Sequence, residues 1–160
     1  MRVRIPALTL PVALASACAD FPTCDDAAAF PPSVVFGVGE TELTPVVDGA
    51  MLPITWGMQG GQHVWVGLRA TGIVHRAKSY DDNPHVSFAL DMNGAMIGSG
   101  ASFDALFGAT DDARLVGAQL YLDYVDPASI PEDAIYTASV SVTDVCGTTL
   151  QDSHNVTMGW

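Results

Sequence analysis

Two side chains near the end of the chain have the types and spacing of a metal-binding pair. Asp152 and His154 lie two positions apart in a predicted β-strand, so both side chains point to the same face of the sheet. A carboxylate beside an imidazole can orient the ring, and such a pair can ligate a metal ion. A β-bulge at this point would instead turn both side chains to solvent. Asp152 and His154 are therefore candidate metal ligands.

Trp65 and Arg69 are candidates for binding a partner. Trp65 falls on the strand face opposite to Val64, which predicts an exposed indole beside Arg69. An exposed aromatic ring on a sheet can stack on a sugar or anchor a protein partner, although it can also lie under a neighbouring loop. Trp56 shares the parity of the apolar Ile54, and we expect it in the core.

The sequence lacks the motifs of common enzymes. Residues 98–102 read Gly-Ser-Gly-Ala-Ser, which differs from the Gly-x-Ser-x-Gly elbow of serine hydrolases. The glycine-rich segment 57–61 lies between two predicted strands, where no helix N-terminus is available to bind phosphate. We therefore expect no catalytic residues, no enzymatic activity and no cofactor.

Residues 1–17 indicate a bacterial export signal. A short cationic start is followed by an apolar run that is too short to cross a bilayer as a helix. The run ends in Ala-Ser-Ala before Cys18, and this stretch resembles the bacterial lipobox, in which small residues precede a Cys that is acylated. The same small residues suit an ordinary signal peptidase, so secretion without a lipid stays open. Residues 18–32 predict a Pro-bearing tether.

The cysteine count agrees with a lipid on Cys18. The chain has three cysteines, Cys18, Cys24 and Cys146, and an odd count in an exported protein leaves one thiol over. If Cys18 is acylated, Cys24 and Cys146 can pair in an oxidising compartment. The alternative is two unrelated free thiols.

The charge balance excludes one class of partner. After residue 17 the chain carries 4 basic and 18 acidic residues, a formal net charge of −14. Such a surface repels the phosphates of nucleic acids and anionic membranes. We therefore expect no nucleic-acid binding, and contact with the membrane through the N-terminal lipid only.

Alternating apolar residues predict an all-β domain over residues 33–160. Short segments of period two recur along the chain, with turn residues between them and no long amphipathic helix. Asp48-Gly49 predicts a type I′ hairpin between its flanking strands, and Asn93-Gly94 predicts a turn that leads back into the next strand. About seven to nine short antiparallel strands with frequent turns favour a β-sandwich.

The last third of the chain carries a resemblance to known folds. Residues 132–138 read EDAIYTA, which resembles the approach to strand F of immunoglobulin domains, and the following hairpin VTDVCGTTLQDSHNVTM is similar to bacterial Ig-like and PKD-type modules. This resemblance implies an Ig-like β-sandwich in which the Tyr136 hydroxyl bonds backward to the chain. Residues 56–72, with the preceding turn, resemble predicted envelope lipoproteins of the myxobacterial kind.

These observations lead to two hypotheses about function. The first is a non-catalytic binding or structural module of the bacterial envelope that contacts an envelope protein or a glycan through Trp65 and Arg69. Such a module would lie in the periplasm, be anchored by lipid in the outer membrane, or be secreted. The alternative follows from a resemblance of Asp152-x-His154, near the end of a small Ig-like barrel, to periplasmic copper proteins. It is a metal-binding protein that uses this pair.

Overall fold

A computed structural model describes residues 21–57, 61–102, 104, 106–123, 130, 131 and 133–160. The predicted leader, residues 1–17, and the predicted acylation site Cys18 lie outside the described residues.

The described chain is all-β, as the alternation predicts, and it contains one short α-helix and one 3₁₀ turn, at Tyr80–Asp82. Branched and aromatic residues at every second position favour extended backbone, because one face of each strand can then be buried. The described residues form ten strands, slightly more than predicted. The elements are α1 Cys24–Ala28, β1 Ser33–Val38, β2 Thr44–Pro45, β3 Met51–Pro53, β4 Thr55–Trp56, β5 Gln62–Thr71, β6 His85–Met92, β7 Ala95–Ser102, β8 Ala113–Leu122, β9 Tyr136–Thr143 and β10 Thr149–Gly159.

The strands form one curled sheet with the shape of a half-barrel. Its order is β2-β1-β5-β8-β7-β6-β9-β10-β3, and β4 pairs with β5 beyond the end of β1. All pairs are antiparallel except β10 with β3, which is parallel. Because β3 and β4 are nearly consecutive, residues 51–56 pair first with β10 and then with the start of β5, and so they link the two sides of the curled sheet.

The concave side of the sheet holds the hydrophobic core. In β5 the inward residues Val64, Val66 and Leu68 are fully buried, and β6 and β9 contribute the same alternation. Tyr136 is also fully buried, and its hydroxyl donates a hydrogen bond to the carbonyl of Pro131 at 2.7 Å. The backward bond that the Ig resemblance implied for Tyr136 is therefore present.

The two predicted turns have different outcomes. Asn93-Gly94 joins β6 to β7, and both residues have positive φ, as a type I′ turn requires. The Asp48-Gly49 prediction is wrong, because β2 pairs with β1 and β3 pairs with β10. Asp48 and Gly49 instead bond to Asn155 of β10: the Asp48 carboxylate accepts its N–H, and Gly49 donates to its carbonyl.

A loop packs on glycines at the outer face of three neighbouring strands. Gly37 of β1 pairs with Gly67 of β5, and the Leu43 side chain lies against both. In β8 one extra residue between the partners of Val66 and Leu68 forms a bulge at Gly117, where φ is +75°. A Cβ on Gly117 would lie 2.6 Å from the carbonyl oxygen of Glu40, so only glycine fits beneath the loop.

A disulfide between Cys24 and Cys146 ties α1 to the turn between β9 and β10, as the cysteine count predicted. Thr23 caps α1 through a capping box with Asp26. Beside the disulfide, the buried Asp144 carboxylate accepts three backbone N–H bonds, from Val74, Cys146 and Thr148, at 2.8–3.0 Å. Part of the predicted tether is thus covalently joined to the turn between the last two strands.

Candidate functional site

A groove on the outer face of the sheet surrounds Trp65. Trp65 points outward from β5, opposite to the buried Val64, as its parity predicted. The Trp65 groove has a volume of about 680 Å³, and its floor is the bulged part of β8. Three aromatic and three polar residues from β5, β7, β8 and the segment after β7 line it: Trp65, Phe107, Tyr121, Ser102, Asp104 and Gln119.

The aromatic residues of the groove leave much apolar surface in contact with solvent. Phe107 is 77% exposed and Tyr121 is 55% exposed. Trp65 is half-buried, and its ring meets the His63 imidazole edge to face, with centroids 4.7 Å apart and planes at 88°. Exposed aromatic side chains grouped around one groove are typical of a binding surface, whereas a single exposed ring needs no explanation.

Hydrogen bonds fix the polar side chains beside these rings. The Tyr121 hydroxyl donates to Oε1 of Gln119, and Nε2 of Gln119 lies 3.5 Å from Nε2 of His63. Burial lowers the pKa of His63, and nearby Glu40 offsets only part of this effect. The imidazole is therefore neutral at pH 7, and its Nε2 can accept from the Gln119 amide. Both ends of the amide are thus oriented by neighbours.

Arg69 does not join Trp65 in this groove. Both side chains emerge from the same face of β5, but Leu43 packs on the intervening Gly67. The Arg69 guanidinium instead contacts the Asp112 carboxylate, which also takes a two-pronged contact from Arg114. Hydrogen bonding to Arg114, with Arg69 as a further contributor, lowers the pKa of Asp112.

Asp152 and His154 lie on one face of β10, as predicted, at the seam where β10 faces β1. Asp152 accepts the backbone N–H of Phe36 at 2.8 Å. His154 Nε2 lies 3.2 Å from Asp152 Oδ1, and its Nδ1 lies 3.6 Å from Asp48 Oδ1. Both ring nitrogens therefore face carboxylates that already accept backbone N–H groups.

No group of three or more His, Cys, Asp or Glu side chains is placed to hold a metal ion, as far as the described residues go. The pair instead stabilises the seam: Asp152 bonds to the backbone of β1, and His154 lies between Asp152 and Asp48. The same part of the chain contains no helix with the length and hydropathy of a membrane span.

Trp56 departs from its prediction. It pairs across the sheet with the buried Gln62, so its parity agrees with the interior, but it lies at the rim and is 53% exposed. There its ring stacks on Trp160, with centroids 5.5 Å apart. The expectation of a core position is wrong because a strand end has no layer above it to bury the ring.

Sequence reasoning missed Phe107, Gln119 and Tyr121 as members of the groove. Alternation along β8 placed Gln119 and Tyr121 on the solvent face, but only the pairing of Trp65 with Gln119 shows that they adjoin the indole. Phe107 reaches the groove through a backbone bridge to Arg114 that has no local sequence signal.

The chain matches no protein-family model and no curated protein.

Proposed function

We propose that this chain is a non-catalytic binding module of the bacterial cell envelope and that the Trp65 groove is its contact surface for an envelope partner. The observation that carries the proposal is the grouping of Trp65, Phe107 and Tyr121 around one groove, from three separate parts of the sequence. Aromatic side chains of this kind supply most of the binding energy at many recognition surfaces.

Export and anchoring are part of the same proposal. Residues 1–17 direct export, and Cys18 carries a lipid that holds the domain at the membrane. The pairing of Cys24 with Cys146 supports this, because it leaves Cys18 as the remaining cysteine of the three. In this arrangement α1 and its disulfide lie a few residues from the anchor, and the folded sheet extends from them.

We further propose that the curled sheet is a relative of the Ig-like β-sandwich found in bacterial envelope proteins. The bond from the Tyr136 hydroxyl to Pro131, five residues upstream, supports this relationship. The hairpin of β9 and β10 at the end of the chain is a second feature in common with such modules.

Co-sedimentation with purified envelope fragments tests the proposed function. The exported Cys18→Ser chain removes the contribution of the lipid, so that sedimentation reports the folded domain. We expect this chain to co-sediment, Trp65→Ala to lose most of the bound fraction, and Tyr80→Ala to keep it. Tyr80 is a matched control, because it is 61% exposed and lies outside the lining of the groove. Equal binding of all three chains would contradict the proposal.

Intact-mass measurement of the membrane-extracted protein tests the anchor separately. The expected mass is that of a chain beginning at Cys18 with acyl groups attached and two hydrogens fewer than the reduced form. An unacylated chain beginning elsewhere would contradict the lipid, while leaving the groove untouched.

A further inference from the structure

We infer that the ligand of the Trp65 groove is a neutral saccharide chain. This inference rests on the proposed function and names the class of its ligand. The first observation is the aromatic surface: Phe107 and Tyr121 expose most of their side chains beside a half-buried indole. The C–H faces of pyranose rings are apolar and flat, and they pack well on aromatic rings.

The polar groups in the groove suit hydroxyl groups, which both donate and accept hydrogen bonds. After its bonds to His63 and Tyr121, the Gln119 amide keeps one N–H and one oxygen lone pair. The Tyr121 hydroxyl donates its hydrogen bond to Gln119, and its oxygen lone pairs stay available as acceptors. Ser102 and Asp104 add a hydroxyl and a carboxylate at the β7 side of the groove. The groove therefore offers both donors and acceptors beside the aromatic rings.

Charge complementarity favours an uncharged ligand. The described lining residues of the groove include no lysine or arginine, and they include Asp104. Arg69 and Arg114, the basic residues nearest in sequence to this part of the sheet, both contact Asp112. A uronic acid, sulfate or phosphate group would meet a carboxylate without a compensating cation, in a chain of strongly negative net charge.

The size of the groove agrees with a small ligand segment. Its volume of about 680 Å³ lies within the range of ~300–1,000 Å³ typical of sites for small molecules. The Gln119 amide is held between His63 and Tyr121 before any ligand arrives, so less conformational entropy is lost when a hydroxyl group bonds to it.

Affinity electrophoresis of the exported Cys18→Ser chain tests the inference. Native gels contain either a soluble neutral polysaccharide (dextran or hydroxyethyl cellulose, in separate gels) or anionic alginate. We expect at least one neutral polymer to retard the chain and alginate to leave its mobility unchanged. Trp65→Ala should weaken the retardation about tenfold or more, and Tyr80→Ala should match the parent chain. Phe107→Ser removes a ring that is 77% exposed, so it should cost little stability, and it should also weaken retardation.

Three results would overturn the inference, and the first two are no retardation by either neutral polymer, or retardation that both Trp65→Ala and Phe107→Ser retain. If co-sedimentation with envelope fragments still depends on Trp65 while no polysaccharide binds, the saccharide is wrong and the partner is a protein, so the proposed function survives. If co-sedimentation is also independent of Trp65, both fail. Retardation by alginate as strong as by the neutral polymers would overturn the charge argument and with it the neutral ligand.

Discussion

Asp152 of β10 accepts the backbone N–H of Phe36 in β1 at 2.8 Å, so one carboxylate joins two strands that face each other across the seam of the curled sheet. The two residues are 116 positions apart in sequence. Phe36 is fully buried, and its backbone carbonyl accepts a hydrogen bond from the Val46 N–H. The bond to Asp152 therefore satisfies the other backbone polar group of Phe36, its N–H.

Replacing Asp152 with Ala should therefore lower the free energy of unfolding by about 1.5–3 kcal/mol, because a charged acceptor of a buried N–H is lost. Asp152→Asn keeps an acceptor and should cost less. Urea denaturation of the three chains measures the difference. A cost for Asp152→Ala no larger than that of Asp152→Asn would show that the seam does not depend on this bond.

The bulge at Gly117 shapes the floor of the Trp65 groove and gives a second prediction. Gly117→Ala places a methyl group against the Glu40 carbonyl at a positive φ, and it should cost about 2 kcal/mol or more. Gly49→Ala is the matched control: its φ is +81°, but nothing lies within 4 Å of the added atom. The control should cost about 1 kcal/mol. Equal losses in thermal or urea unfolding would contradict the crowding.

Buried histidines predict how stability changes with pH. Burial lowers the pKa of His63 and of His75, with Arg76 adding to the effect at His75. The unfolded chain therefore binds more protons than the folded chain as the pH falls below 6.5, so this contribution to stability is present above that pH and is lost progressively below it.

We expect the free energy of unfolding to be lower at pH 5.5 than at pH 7.5, an interval in which most carboxylates stay ionised. His75→Phe should show a smaller drop than the parent chain, and so should His63→Phe. An unchanged pH dependence in both variants would contradict neutral burial of these rings.

The Asp152 and His154 pair gives a prediction about copper binding. Because the described residues place no group of three or more His, Cys, Asp or Glu side chains to hold a metal ion, we expect no stoichiometric copper on the purified chain after dialysis. His154→Gln should lower the melting temperature and leave the copper content unchanged. One copper ion per parent chain, lost in the variant, would establish the metal-binding alternative.

Local signals in the sequence were enough for the elements whose contacts are local. The strand of Tyr136 alternates without exception, and Asn93-Gly94 permits positive φ at both turn positions, so both predictions agree with the structure. The Asp48-Gly49 turn has an equally strong local signal. The predicted hairpin does not form because the strands on its two sides pair with the longer strands β1 and β10 instead of with each other. Pairing between strands that are distant in sequence gives no local sequence signal.

The candidate site could be predicted only in part, for the same reason. Trp65 faces outward as its parity indicated, but the bulge at Gly117 reverses the parity of β8, so Leu115 and Leu120 are both buried although they differ by an odd number of positions. Alternation alone could not detect that shift, nor could it place Phe107 beside Trp65. The separation of Arg69 from Trp65 depends on a loop leucine that packs on glycine.

The fluorescence of a chain whose single indole is Trp65 reports directly on whether the Trp65 groove is the binding surface. The variant chain Trp56→Phe/Trp160→Phe, on the exported Cys18→Ser background, keeps Trp65 as its single indole. Both replaced rings lie at the rim and are about half exposed, so the fold should tolerate the change. If the Trp65 groove is the binding surface, envelope fragments or a neutral polysaccharide that retards the parent chain should shift the Trp65 emission saturably to shorter wavelength. Saturable binding without any change in the Trp65 emission would show that the partner binds away from the Trp65 groove.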